Sequence, residues 1–180
     1  MTTQAKRKKN QKSESLTIRL DPKMRFALEF VARLKGQTIT KVIERAVTDA
    51  AEITYTGDNK NWLHYWDVCD GVRSIRLAMD SDTNPTFDED ELLDFIKIHW
   101  NYFSSTNNLL YLKRENIDVL WPKIEDLLKI WRECKSSDRL RCARVMKEIL
   151  RNSGLSDQSW EASYKDEDLL VDRSDAGIPF

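Results

Sequence analysis

The stretch that most limits what this chain can become is Ser15–Ala51, SLTIRLDPKMRFALEFVARLKGQTITKVIERAVTDAA. Its first six residues alternate polar and apolar. As a strand they would set Leu16, Ile18 and Leu20 on one face and Ser15, Thr17 and Arg19 on the other. Asp21-Pro22 closes that pattern with an N-cap and a proline suited to a first helical turn. Met24, Ala27, Leu28, Val31 and Ala32 then recur at helical spacing, widened by Phe26 and Phe30. Gly36 is a helix-ending glycine, and Thr38 an N-cap for a second helix with Val42, Ile43, Ala46, Val47 and Ala50 as its apolar set. A strand with no neighbour leaves its ladder groups open, and two small helices cannot build a core alone. The segment therefore predicts an intertwined homodimer, strand against strand, with Leu16, Ile18, Leu20, Leu28, Val31, Val42, Ile43 and Val47 as the shared core.

The run Leu16-Thr17-Ile18-Arg19-Leu20, then Asp21-Pro22, the Gly36 turn and Thr38, resembles the ribbon-helix-helix DNA-binding proteins of the Arc/MetJ/CopG type over roughly a fifth of the chain. The resemblance implies an antiparallel two-stranded ribbon entering the major groove, with Ser15, Thr17 and Arg19 of each subunit contacting base edges. It also implies a phosphate held at the start of the second helix by Thr38, Ile39, Thr40 and Lys41.

Charge gives a separate indication. The chain has a formal net charge of −1, yet residues 1–50 hold 12 Lys+Arg against 5 Asp+Glu, a net +7, and the remaining 130 residues are net −8. A basic front and an acidic rear suit a DNA-binding module joined to something else. Residues 1–14 are polar, and Lys6, Arg7, Lys8, Lys9 and Lys12 form a basic arm suited to phosphate contact or to the minor groove. A solvating tail without a DNA role has the same composition.

Residues 54–61, TYTGDNKN, are turn chemistry and mark a linker. All six tryptophans lie beyond it, so residues 62–154 are expected to form a helical domain with its own core. Trp62, Tyr65, Trp66, Cys69 and Val72 follow one helical spacing. Thr86 and Glu89 form a capping box, and Leu92, Leu93, Phe95, Ile96 and Trp100 an apolar face. Leu109–Leu112 suits either a short strand or a helix start. Two helices meet at Pro122, and Ser137 or Asp138 caps a last one that ends near Gly154. Residues 155–180 carry seven acids against Lys165 and Arg173, with Trp160, Tyr164, Leu169-Leu170-Val171 and Ile178-Pro179-Phe180 interspersed. Such a tail suits folding onto a basic partner, packing on its own domain, or shielding the basic arm.

The fold class expected is mainly α, a ribbon-helix-helix unit followed by a helical domain. The function expected is a sequence-specific transcription regulator, most simply a repressor, whose dimer covers an inverted-repeat operator in double-stranded DNA; two dimers side by side remain open. Alternatives are an antitoxin-like protein whose rear binds a toxin, or an accessory DNA-binding protein of a plasmid or mobile element. No enzyme activity is expected. The carboxylates Asp88, Glu89, Asp90, Glu91 and Asp94 with His99 suit a solvated helix face better than acid/base chemistry. No phosphate loop, nucleophile elbow or HExxH is present. Cys69, Cys134 and Cys142 with two histidines suggest no metal set and no cofactor. Without an apolar leader or span the chain is expected in the cytoplasm, at the nucleoid, and away from membranes.

Overall fold

The computed structural model describes residues 17–138 and 140–162, and the chain divides into two units after Ile53. Each is described by itself.

The first unit is a helical hairpin. Asp21 accepts the Met24 N–H at 2.8 Å and caps α1 (Pro22–Lys35), with Pro22 in the first turn. Gly36 ends α1 at φ +59°, a left-handed conformation that a Cβ would oppose, and its N–H donates to the Ala32 and Arg33 carbonyls. Thr38 then caps α2 (Ile39–Glu52) by accepting the Lys41 N–H at 3.2 Å. Only Ala32 and Val42 are buried among the described residues of this unit.

The ribbon expected ahead of α1 is not present among the described residues. Among the described residues there is no strand, and residues 17–20 have no regular secondary structure. Ile18 and Leu20, expected inside, are 52% and 43% exposed. The ribbon-helix-helix resemblance is therefore corrected: the two helices and their caps form, the strand does not. Period-two alternation decides which side chains would share a face, but a strand exists only where a neighbour takes up its N–H and C=O groups, and none of the described residues does so. Of the other expected core residues, Leu28, Val31 and Ile43 are half-buried and Val47 is exposed. Ser15, Leu16 and the basic arm lie outside the described residues.

The second unit is also helical. Its elements are α3 (Trp62–Tyr65), α4 (Asp70–Ala78), α5 (Phe87–Ile98), α6 (Trp100–Phe103), α7 (Arg114–Leu120), α8 (Ile124–Cys134), α9 (Leu140–Asn152) and α10 (Ser159–Ala162), with 3₁₀ turns at Ser81–Thr83 and Trp121–Lys123. The helix expected through Trp62–Val72 is two helices. Trp66 is extended and the Asp67 carboxylate accepts the Cys69 N–H at 2.9 Å, a local turn that competes with the helix ladder. Leu109–Leu112 is neither helix nor strand. Leu109 sits at φ +59°, and a single antiparallel bridge joins Ser104 to Leu112. The capping box at Thr86 and Glu89 is formed, and α7 and α8 meet at the turn holding Pro122.

The core of this unit gathers Val72, Ile75, Phe95, Ile96, Tyr102, Phe103, Ile117, Leu120, Leu127, Met146 and Leu150 from α4 to α9. Phe95 is its centre, edge-on to Phe103 and Trp131 at 5.9 Å each and to His99 at 5.0 Å. α10 is tied to α6 and to the start of α7. Trp160 stacks on Tyr102 at 5.8 Å, and the Lys113 ammonium donates to the Asn101 carbonyl (2.8 Å), Asp157 (2.7 Å) and Ser159 Oγ (2.9 Å). The first residues of the expected acidic tail thus belong to the packed unit. No helix among the described residues is long and apolar enough to cross a membrane.

Candidate functional site

The first unit offers a surface rather than a cavity. Along α1, Met24, Phe26, Phe30 and Leu34 are all exposed, Phe26 at 68%, and on α2 Ile39 and Val47 are exposed. Phe26 and Phe30 stack on each other with centroids 6.3 Å apart. Beside them a groove of about 280 Å³ runs between the helices, lined by Met24, Ala27, Leu28, Val31, Val42 and Ala46. So much contiguous apolar surface on a unit with two buried residues marks an interaction face.

Cations surround it. Arg25 pairs with Glu29 and Lys41 with Glu44, both in exposed positions. Arg19, Lys23, Arg33, Lys35 and Arg45 enter no ion pair among the described residues. Of the residues expected to contact bases, Thr17 and Arg19 are exposed and Ser15 lies outside the described residues. Of those expected to contact phosphate, Thr38, Ile39, Thr40 and Lys41 are together at the exposed start of α2. The Thr38 hydroxyl and carbonyl are occupied by the Lys41 and Val42 N–H groups. The Ile39 and Thr40 amides have no partner among the described residues. Lys6, Arg7, Lys8, Lys9 and Lys12 lie outside them.

Two carboxylates of the α5 cluster have structural partners. Glu89 closes the capping box on Thr86, its Oε2 accepting the Thr86 N–H at 2.7 Å. Glu91 faces Arg132, whose Nε lies 3.0 Å from both carboxylate oxygens, and this pairing holds its carboxyl below the usual range. His99 is fully buried, and burial pulls its pKa down to about 4. The three thiols are free and buried, and burial pushes Cys142 up to about 12. No group of three or more potential metal ligands is assembled among the described residues.

Sequence reasoning missed a cleft of about 820 Å³ in the second unit. Its walls are Tyr65, Val72, Met79, Leu109, Leu110 and Leu112, its charged groups are Asp58, Lys60, Asp67, Arg76, Asp80 and Arg114, and His64 joins them. At one end Arg114 Nη2 lies 2.7 Å and Arg76 Nη1 3.8 Å from the Asp67 carboxylate. At the other, Asp80 accepts from the Tyr65 hydroxyl (2.6 Å), Lys60 (3.1 Å) and the Asp82 N–H (3.1 Å), while Lys60 also meets Asp58 at 2.9 Å. The Tyr65 hydroxyl and the Lys60 ammonium hold the Asp80 carboxyl below its usual range. Two guanidinium groups thus share one carboxylate at the first end, and two carboxylates share one ammonium at the second. The cleft carries opposite charge at its two ends. These groups are spread over Asp58–Arg114 without regular spacing, so no sequence pattern announces them.

No protein-family model matches the chain, and no curated protein and no solved structure matches it significantly.

Proposed function

We propose that the protein is a DNA-binding regulator that works as a homodimer through its first unit. The observation that carries this reading is the separation of charge, a net +7 over residues 1–50 against −8 over the rest, in a chain whose overall charge is near neutral. A segment that concentrates cations on an otherwise acidic protein is suited to polyanion binding, because each phosphate neutralised releases condensed counterions. The exposed Arg19, Lys23, Arg33, Lys35 and Arg45 extend that basic surface onto the helical hairpin. The apolar faces of α1 and α2 support a second copy as partner, since they are too large to leave in water and belong to a unit with almost no core of its own. The reading requires no strand. DNA is met by the arm, the segment before α1 and the start of α2.

Selection of binding sites from random duplex DNA with the full chain tests this. Enrichment of one inverted repeat supports the reading, and recovery of unenriched DNA opposes it. On the selected site, Arg19→Ala is expected to lose about 1–3 kcal/mol of discrimination against a scrambled site, since a guanidinium reads guanine bidentately. Equal loss on both sites would remove Arg19 from base recognition.

A second reading, the antitoxin-like binder, is favoured by one feature of the second unit. Trp62, Leu63, Trp66 and Val68 are all exposed on neighbouring turns, and tryptophan-rich exposed patches are common at protein interfaces. Capture of one defined toxin-like partner, abolished in Trp66→Ala, would favour it.

A further inference from the structure

We propose that the two-ended cleft of the second unit is the docking site for the acidic segment of the same chain, residues 165–171, KDEDLLV.

Three observations converge on this occupant. The first is the charge arrangement of the cleft. Asp67 and Asp80 are at its floor: their side chains are 16% and 13% exposed, against 47% for Arg114. Asp67 is already engaged: its Oδ1 accepts from the Cys69 N–H and meets Arg114, and Arg76 lies 3.8 Å from its Oδ2. Each guanidinium offers five N–H donors. Arg114 uses one nitrogen on Asp67, and Arg76 uses Nη1 on the Trp66 carbonyl at 3.1 Å and toward Asp67. Both arginines are part-exposed, Arg76 at 37%, and keep further N–H donors suited to an anion.

The second observation is the apolar wall. Leu110 is 68% exposed on the cleft rim, with Leu109 and Leu112 beside it. A partner that places carboxylates next to aliphatic side chains satisfies both features. Asp166-Glu167-Asp168 followed by Leu169-Leu170-Val171 has that order, and Lys165 before it suits the opposite end, where Asp58 and Asp80 share Lys60.

The third is where the described residues end. α10 ends at Ala162 and is held at Lys113 through Asp157 and Ser159. Lys113 lies between Leu112 and Arg114, both cleft residues. Only Ser163 and Tyr164 separate α10 from Lys165, and each residue reaches up to about 3.5 Å. Residues 163–180 carry five acids against two bases, so they keep net negative charge when Lys165 is engaged. This docking does not depend on DNA binding by the first unit.

Amide hydrogen exchange of the full chain tests the proposal. Residues 166–171 are expected to exchange about tenfold or more slowly than an unstructured peptide, at a rate independent of protein concentration. Asp166→Lys, Glu167→Lys, Asp168→Lys in one chain leaves the cleft untouched. It is expected to abolish that protection and to speed exchange at 109–114. Combining it with Arg76→Glu and Arg114→Glu is expected to restore protection. Exchange of 166–171 at the unstructured rate in the native chain overturns the proposal. So does protection that survives the triple lysine change, or protection that rises with protein concentration, which would place the segment on another copy.

Discussion

Of the described glycines, Gly71 has the closest neighbours. A Cβ built there would meet Ile117 Cγ2 at 2.5 Å and the Trp121 ring at 2.7 Å, both fixed by the core. In an exposed helix, alanine would be the better residue. Here Gly71→Ala is expected to destabilise the unit by about 1–3 kcal/mol, because α4 must move away from α7. A urea midpoint equal to or above that of the unaltered chain would contradict this close approach. His99 makes a pH prediction at the same scale. Its folded pKa, about 4, lies below the ordinary value of 6.5, so the unfolded chain binds the proton more readily. The neutral ring is therefore no burden above pH 6.5, and stability falls as pH drops from 6.5 toward 4, by up to about 3 kcal/mol. Asp80, Glu91 and Asp157, whose carboxyls are held below their usual range, lose their own contribution only at lower pH. Urea titrations between pH 7 and 4.5, compared with His99→Gln, isolate the histidine. An unchanged slope in that variant would assign the acid sensitivity elsewhere.

Among the elements, what is legible in the sequence is local. Asp21, Gly36, Thr38 and the Thr86/Glu89 box announce helix ends because each acts through a hydrogen bond three or four residues away. The break at Trp66–Cys69 is hidden because apolar spacing continues through it, while the Asp67 turn that causes it leaves no periodic signal. The strand fails for the opposite reason. Alternation from Ser15 to Leu20 is clear, but the ladder partner that makes a strand is not written in the same six residues. The cleft is illegible because Arg76 and Arg114 come to one carboxylate from separate helices. The apolar face of α1, by contrast, reads directly from Phe26, Phe30 and Leu34 at four-residue spacing. If a second copy covers it, Phe30→Asp would bury an unpaired charge in the shared surface. Sedimentation velocity is expected to show a dimer for the unaltered chain and a monomer for Phe30→Asp. A dimer of unchanged stability in that variant would move the interface off α1.

At the scale of the whole molecule, the two units carry opposite net charge. The basic unit is nearly without a core and rich in exposed cations. The acidic unit is well packed, with its polar groups drawn into caps, ion pairs and a two-ended cleft. DNA affinity is expected to reside in the first unit and to depend steeply on salt. The most direct measurement is the DNA affinity of the full chain across a salt series, beside a variant with Lys6, Arg7, Lys8, Lys9 and Lys12 replaced by glutamine. Binding is expected to weaken linearly in log–log form, with a slope shallower in the variant by about 0.9 for each phosphate that the arm no longer neutralises. The same slope in both chains would take the arm off the phosphates, and no binding to duplex DNA at low salt would contradict a DNA-binding role for the basic unit.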